Sequence, residues 1–442
     1  MTEDRATRIA APLWATGQVA VQIFRDVPSL LLLFYMTQVL TISPALAGVA
    51  IFVPKFFWAV ICDYTVGLVS DRWRTRFPRR HFLLIGAVLA PAAMMLLFGG
   101  ADAPTEQGRA LHVSMMLALY MLTFALFSVP HLAIGTELGK TPKAGTVVMG
   151  WRIAFAGIGL LVGISAAPIL IERLGGGTGA YRMVAMIMAM TCAVSLIISW
   201  FGAKEGLPEE REQDAQPPIS AWRAIVGNRP FLILFSVLLL QLIAGGLSYA
   251  SLAYLFTYNL DYSQPLAVLG IFAMITSVMA IVAQPLWVAI ANRKGKRFGL
   301  ILASTCYGLC LLSALALPQR DPLPAYALAV IFGLFNSGCY LNIYAMLSDL
   351  VEREKEAEGF SRAGLYAGVF TAGDKIAFAI GGTLLAGLIL GAAGFDSGAA
   401  LQSAKAESGI YVAFAILPAA LFIVTVLMVG LLMREPRPAA GK

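Results

Sequence analysis

The chain has 442 residues, of which 59% are hydrophobic and only 13% are charged, whereas soluble domains carry about 25% charged residues. This composition excludes a soluble globular protein. The net charge of +7 comes from lysines and arginines in short segments between apolar runs. Because they form no continuous basic face with stacking aromatics, no nucleic-acid partner is predicted. The 5 cysteines lie inside apolar runs without CxxC spacing, so neither a disulfide framework nor a zinc site is predicted.

Apolar runs, taken in chain order, predict twelve membrane-spanning helices, since one helix needs ~20 mostly apolar residues to cross a bilayer. The first six, spans 1 to 6, lie at 11–39, 45–69, 81–100, 111–138, 147–172 and 181–201. Spans 7 to 12 lie at 231–259, 266–291, 298–317, 324–348, 362–392 and 408–433. We therefore predict an all-α membrane protein in which two six-helix bundles, residues 1–203 and 230–442, are joined by a cytoplasmic linker at 204–229.

The orientation of the chain follows from its basic residues. Residues 1–9 are polar and the first apolar run has no small-residue cleavage site, which predicts an uncleaved first span rather than a signal peptide. With both termini in the cytoplasm, 23 of the 32 lysines and arginines fall in cytoplasmic segments, 5 outside and 4 in the spans. This distribution obeys the positive-inside rule. We expect a multi-pass protein of the cell inner membrane.

The two halves of the chain share a pattern. Span 2 ends at Asp71 with arginines behind it, and span 8 ends at Asn292 with a second basic segment behind it. Arg152 in span 5 and Lys375 in span 11 are also about half the chain length apart. Parallel halves related by an axis along the membrane normal are typical of major facilitator transporters, which bind substrate between the halves near mid-membrane.

Two pairs of glycines have the GxxxG spacing that permits close helix approach. They are Gly159 with Gly163 and Gly387 with Gly391. In a chain of twelve spans we expect them to pack helices within one molecule, and we therefore predict a monomer.

Charged side chains within the spans identify a candidate site, because each costs about 2.5–3.5 kcal/mol to insert and so faces a partner or a water-filled cavity. The set is Arg25, Asp26, Lys55, Asp63, Arg152, Asp374 and Lys375. Asp26 and Lys55 lie at similar depth in spans 1 and 2, which predicts an ion pair that either ties these helices together or binds substrate. Asp63 has no obvious adjacent cation. A carboxylate without a fixed partner suits proton coupling, and the alternative is a structural pair with Arg152.

Four stretches resemble a known family. They are Trp58-Ala-Val-Ile-Cys-Asp63 continuing to Arg76, Val129-Pro130-His131, Trp151-Arg152, and Met346-Leu-Ser-Asp349 with Arg362-Ala-Gly-Leu365. In this order they resemble the glycoside-pentoside-hexuronide:cation symporters, the melibiose permease group of the major facilitator superfamily. The resemblance implies alternating access and a sugar, glycoside or uronide as the small-molecule substrate.

The resemblance also implies a coupling site. Asp63 stands at the second aspartate of the family's span-2 pattern, whereas Ala59 replaces the first aspartate and Cys62 replaces an asparagine. Ser128 stands at the polar position before Val-Pro that cation and sugar share. Asp63, Cys62 and Ser128 are thus the predicted coupling residues. One carboxylate and one hydroxyl are a poor set for sodium, which prefers several oxygen ligands, so we favour a proton over sodium, with uncoupled facilitation as an alternative. No cofactor is predicted.

The predicted substrate contacts are Gln22, Asp26, Lys55, Trp151, Arg152 and Lys375. By resemblance, Arg152 and Lys375 match an arginine and a lysine of the sugar site, and Gln22 stands where the family has an aspartate, with Asp26 one turn further on. The alternative for Arg152 is a side chain that extends to the nearby membrane surface. His131 is expected to be a packed, hydrogen-bonded residue rather than a member of a proton path.

Charged residues at the cytoplasmic ends of the helices are predicted to form a gate. By resemblance, Asp71 and Arg72 in the first half and Asp349, Arg353 and Arg362 in the second would close the cytoplasmic side of an outward-facing transporter. The alternative is that solvent surrounds these charges in ordinary loops.

The sequence offers less support for functions other than transport. The sequence contains no HExxH, GxSxG or Walker loop, so no enzyme is predicted. A channel would be symmetric about a pore and usually oligomeric, and a membrane receptor or sensor would not need balanced charges in both halves. Within transport, the alternatives are sodium symport and export of a lipid-like or other amphiphilic solute.

Overall fold

The computed structural model describes residues 2–73, 76–138, 142–203, 227–358 and 363–433. Every regular element in this part of the chain is helical, and the prediction of twelve helices long and apolar enough to cross a membrane is confirmed. Spans 1 to 6 are Ile9–Gln38, Pro44–Ser70, Arg80–Phe98, Glu106–Gly135, Val147–Arg173 and Thr178–Gly202. Spans 7 to 12 are Arg229–Asn259, Pro265–Val282, Lys296–Ala316, Leu323–Arg353, Gly368–Ala392 and Ala404–Leu432.

Several spans contain breaks in regular α-helix. Span 8 ends at Val282 and a second helix, Gln284–Lys294, follows it, because Pro285 has no backbone N–H to continue the ladder. The sequence had predicted one run over 266–291. Five spans contain a π-helical turn: spans 7 and 12 at Leu255–Asn259 and Val412–Ile416, and spans 2, 5 and 11 at Pro54–Trp58, Leu161–Ala166 and Ile380–Leu385. Such turns are frequent at functional sites, and spans 2, 5 and 11 face the other half.

Within each half, the helices pack around a shared core. Span 1 packs against spans 5 and 6, and span 3 packs against spans 4 and 6. In the second half, span 7 packs against spans 11 and 12, and span 10 packs against spans 8 and 9. The linker prediction at 204–229 stays a prediction, since residues 204–226 lie outside the described residues.

The halves meet most extensively where span 2 packs against span 11 and span 5 against span 8. Small residues permit this approach: a Cβ added to Gly48 would lie 2.6 Å from the carbonyl oxygen of Thr383, and one on Gly387 would clash with Pro44. Gly159 packs in the same way on Val19 of span 1. The prediction that the GxxxG pairs pack helices within one molecule is therefore confirmed.

Hydrogen bonds also join the halves at this end of the molecule, which we call the closed face. The Glu172 carboxylate accepts a bond from the Leu266 backbone N–H at 2.7 Å, and this N–H lies in the first turn of span 8, where a helix favours an anion. The hydroxyl groups of Thr37 and Tyr254 are 2.7 Å apart. Since successive spans run in opposite directions, the segments 72–80 and 293–297 lie at the other end, the basic face.

Candidate transport cleft

Charged side chains within the spans are partly exposed between the halves, 55% for Arg25 and 43% for Lys375, and we call the space that they line the cleft. Its first-half side is a polar network built on one face of span 1. Gln18, Gln22 and Asp26 are spaced four residues apart and therefore share this face. Arg152 of span 5 donates from Nε to Oε1 of Gln18 at 3.0 Å. Gln22 donates from Nε2 to Oδ2 of Asp26 at 2.7 Å, and Nε of Arg25 donates to Oδ1 at 2.9 Å. These contacts occupy both oxygens of the Asp26 carboxylate.

The predicted ion pair between Asp26 and Lys55 is wrong. Lys55 instead donates from Nζ to Oγ of Ser29 at 3.2 Å. Gln22 and Arg25 lie on the same helix as Asp26 and occupy both oxygens of its carboxylate. Lys55 of span 2 lies opposite Ser29, almost one turn further along span 1. Equal depth in the membrane did not determine which side of span 1 faces Lys55. Substrate contacts of Gln22, Asp26, Lys55 and Arg152 stay predictions.

Asp63 has a cationic partner in the other half of the chain. Nζ of Lys375 in span 11 donates to Oδ2 of Asp63 in span 2. The side chains are partly exposed, 43% for Lys375 and 25% for Asp63. The sequence had left Asp63 unpaired or paired with Arg152, and it had assigned Lys375 to substrate. In the structure, the coupling candidate and this lysine form a bridge between the halves, and a substrate contact of Lys375 stays a prediction.

The other two predicted coupling residues have different surroundings. Cys62 is buried and packs with Val66 and Ala125 between spans 2 and 4. Ser128 is half-buried, and its hydroxyl makes no hydrogen bond within the described residues. Trp151, a predicted substrate contact, has 43% of its surface exposed, and its ring lies 6.3 Å from that of Phe155.

The second-half side of the cleft was largely missed by sequence reasoning. The rings of Tyr249 in span 7 and Tyr344 in span 10 lie 6.1 and 6.0 Å from phenylalanine rings of span 11, and Tyr340 lies one turn from Tyr344 on span 10. Asp374, adjacent to Lys375, had been noted as a charged residue within a span but had no assigned role. The spacing of four residues between Tyr340 and Tyr344, on one helix face, was the available signal.

Comparison with known proteins decides the class of this cleft. The family described as MFS/sugar transport protein matches residues 13–433. The chain belongs to this family. It is thus a multi-pass membrane transporter of the major facilitator superfamily and not an enzyme, and the predicted resemblance to its sugar symporters is confirmed.

Relatives and solved structures agree with this assignment. The chain is 23% identical over 422 residues to the "Putative glycoside/cation symporter YagG" of Escherichia coli, with 95% of this chain and 90% of the relative covered. It is 27% identical over 445 residues to a "Putative 2,3-dihydroxypropane-1-sulfonate exporter" of Escherichia coli, with 97% and 94% covered. The solved nucleoside transporter NupG has the same fold, with a TM-score of 0.66, 16% identity, and 97% of this chain and 100% of that chain covered.

His131 of this major facilitator transporter lies behind span 1, away from the cleft. Its side chain is 1% exposed and its ring stacks on Trp14 with centroids 4.5 Å apart. Nε2 of His131 lies 3.0 Å from the Trp14 carbonyl oxygen, and Nε1 of Trp14 donates to the His131 carbonyl at 3.1 Å. These reciprocal bonds are those of a packed histidine that ties spans 1 and 4 together.

The predicted gate residues lie at the basic face of the transporter. Nζ of Lys296 donates to the Asp349 carboxylate at 2.5 Å, which joins spans 9 and 10 within the second half. Arg72 and Arg353 are exposed helix-end residues. Asp71 lies in the helix that ends at Arg72, but its side chain lies outside the described part, and so does all of Arg362. A gating role for these five residues stays a prediction.

Proposed function

We propose that this protein is a proton-coupled secondary transporter that moves a sugar, glycoside or uronide across the cell inner membrane. Both termini lie in the cytoplasm, and one chain acts as a monomer. Support for the substrate class comes from the family and from a relative named as a glycoside/cation symporter. Support for proton coupling comes from the contact between Asp63 and Lys375.

The contact between Asp63 and Lys375 carries the proposal because it links a titratable group to the relative position of the two halves. While the Asp63 carboxylate is charged, it attracts the Lys375 ammonium and draws span 2 towards span 11. A proton on Asp63 removes that attraction. Because the partner is in the opposite half, proton binding and the separation of the halves at this level are thermodynamically linked.

The same contact favours a proton over sodium. Sodium would need several oxygen ligands around Asp63, while the neighbouring Ala59 offers none from its side chain and Cys62 packs into an apolar cluster. The Lys375 ammonium would also repel a sodium ion at that carboxylate. A proton needs only the carboxylate oxygen, and it neutralises the charge that holds the lysine.

The orientation follows from the position of the closed face. The basic face carries the segments 72–80 and 293–297, which are rich in lysine and arginine, and the positive-inside rule assigns it to the cytoplasm. The halves are joined at the opposite face by the bonds of Glu172 and Thr37. The structure is therefore interpreted as the inward-facing state of the alternating-access cycle.

Transport by purified protein in proteoliposomes tests this function. We would measure uptake of labelled methyl glucoside, glucuronate and dihydroxypropane sulfonate under an imposed proton gradient, an imposed sodium gradient, or neither. We expect a proton gradient to drive accumulation of at least one solute. We expect Asp63→Asn to abolish accumulation while retaining exchange of that solute at equal concentrations. Asp261→Asn, which removes an exposed ion pair with Arg320 at the closed face, is the matched control and retains accumulation.

The alternatives predict different results in the same assay. Sodium-driven accumulation that survives a protonophore would contradict proton coupling. Exchange without accumulation under either gradient would indicate facilitation. Movement of a lysophospholipid, but none of the polar solutes, would assign the protein to amphiphile transport. In right-side-out vesicles, net outward movement against a gradient would identify an exporter.

A further inference from the structure

Four polar groups on the second-half side of the cleft have no partner. They are the hydroxyls of Tyr249, Tyr340 and Tyr344 and the carboxylate of Asp374, and none makes a hydrogen bond or ion pair with another described residue. Tyr340 is 38% exposed and Tyr344 is 45% exposed. We call these four residues the tyrosine-aspartate wall. Polar groups away from bulk water are normally paired, so this wall offers hydrogen bonds that the protein does not itself satisfy.

Aromatic contacts place Asp374 among these tyrosines. Phe370, Asp374 and Phe378 are spaced four residues apart and share one face of span 11. The Phe370 ring lies 6.0 Å from that of Tyr344, and the Phe378 ring lies 6.1 Å from that of Tyr249. Asp374 therefore lies between the two tyrosines along span 11. Its charge also acts on the hydroxyl of Tyr340.

Arg25 lies on span 1, which packs against spans 7 and 11 of the other half. Only Nε of its guanidinium is bound within the described residues, to Asp26, and the side chain is 55% exposed. Its charge acts on Asp374 and on all three tyrosines, although no ion pair joins Arg25 to Asp374. An arginine with free terminal N–H groups binds a carboxylate or sulfonate through two parallel hydrogen bonds.

We propose that Asp374, with the hydroxyls of Tyr340 and Tyr344, binds the hydroxyl groups of a small polyhydroxylated acid whose acidic group binds Arg25. This inference rests on the proposed transport function and assigns recognition of the solute's hydroxyl groups to the second half. A carboxylate accepts two hydrogen bonds from adjacent hydroxyls of one solute, and tyrosine hydroxyls both donate and accept.

Charge on the two sides of the cleft favours an acid over a neutral or cationic solute. Lys55 and Arg152 bind only Ser29 and Gln18, so both cations lack a carboxylate partner among the described residues. Asp374 is the one cleft carboxylate without a cationic partner among the described residues. The cleft thus has one more unpaired positive charge than negative, which a monoanionic solute neutralises.

Equilibrium binding to the purified full-length protein at one fixed pH tests this assignment. The probes are glucuronate, galacturonate and gluconate as polyhydroxylated acids, glucose as the neutral sugar, and hexanoate as the acid without hydroxyls. We expect at least one polyhydroxylated acid to bind about tenfold or more tightly than both glucose and hexanoate, the loss expected for a hydrogen bond to a charged group.

Two substitutions separate the ends of the site. Asp374→Asn should weaken the polyhydroxylated acid about tenfold and leave hexanoate unchanged. Arg25→Lys keeps the positive charge but not the two parallel hydrogen bonds, and it should reduce the preference of the acid over glucose several-fold. Asp261→Asn, at the closed face and outside the predicted site, is the matched control and should change neither affinity. A Tyr340→Phe variant keeps the ring and should weaken the polyhydroxylated acid less than Asp374→Asn does.

Several results would overturn the proposal. Glucose could bind as tightly as the acids, or no polyhydroxylated acid could bind at all. The Asp374→Asn variant could bind a polyhydroxylated acid as tightly as wild type does. This variant could also lose as much affinity for hexanoate as for the polyhydroxylated acid. None of these bears on proton coupling, because the measurement imposes no gradient. Failure of coupling appears instead in the Asp63→Asn uptake assay, with binding at fixed pH unaffected.

Discussion

The two sides of the cleft differ in how far the protein satisfies its own polar groups. On the first-half side, Gln18, Gln22 and Asp26 are hydrogen-bonded to neighbours within that half. On the second-half side, the tyrosine-aspartate wall has no such partners in the described chain. A paired network fixes the geometry of its side chains, whereas an unpaired one leaves its hydrogen bonds for a solute. We therefore expect the first-half side to be rigid and the second-half side to bind the hydroxyl groups of the solute. The contact between Asp63 and Lys375 links the two halves.

The largest effect is expected from Lys375→Met. This substitution leaves the Asp63 carboxylate without its cation and removes the attraction between spans 2 and 11. We expect proton-driven accumulation to fall by about two orders of magnitude, a loss in the range seen when a proton-transfer group is disabled. Uptake under an imposed proton gradient measures it. If Lys375→Met accumulates solute as wild type does, Lys375 has no part in coupling.

The two aspartates of the cleft should differ in their effect on stability. Asp26→Asn takes a charged acceptor from Arg25 and Gln22 and should lower the free energy of unfolding by about 1.5–3 kcal/mol. Asp374→Asn removes a charge that has no partner in the described chain, so the melting temperature of this variant should equal or exceed that of wild type. Thermal unfolding of both variants without solute measures the difference. An equal loss of stability in both variants would mean that Asp374 is paired within the protein as Asp26 is.

Sequence patterns predicted the helices well and the pairings poorly. The predicted spans begin and end within a few residues of those in the structure for most helices, because the length of an apolar run sets where a helix enters and leaves the bilayer. Asp63 and Lys375, in contrast, are 312 residues apart, and their contact depends on how the two halves dock. The sequence therefore identified most of the charged residues of the cleft but not which of them meet.

An intermediate effect is expected at the closed face. Gly387→Ala places a Cβ against Pro44 and Gly48, which should force spans 2 and 11 apart there. We expect a single cysteine introduced at Thr383 to react several-fold faster with a membrane-impermeant thiol reagent in this variant. Gly430→Ala is the control, since nothing lies within 4 Å of its added Cβ. Unchanged reactivity would show that the closed face tolerates the methyl group without opening.

The smallest effect is expected from Cys62→Ala. The thiol packs against Val66 and Ala125, and its loss should cost about 1 kcal/mol of stability or less. The pH dependence of uptake should match that of wild type. A shifted pH profile with normal expression would instead support the coupling role that the family resemblance assigns to Cys62.

A distance measured across the basic face reports most directly whether the two halves move relative to each other. Spin labels at Trp73→Cys and Glu352→Cys, both exposed and in opposite halves, report how far the halves separate at that face without replacing a predicted gate residue. We expect two distances whose populations change with pH when Asp63 is present and do not change in the Asp63→Asn variant. A single distance at every pH, or the same pH response with and without Asp63, would contradict this expectation.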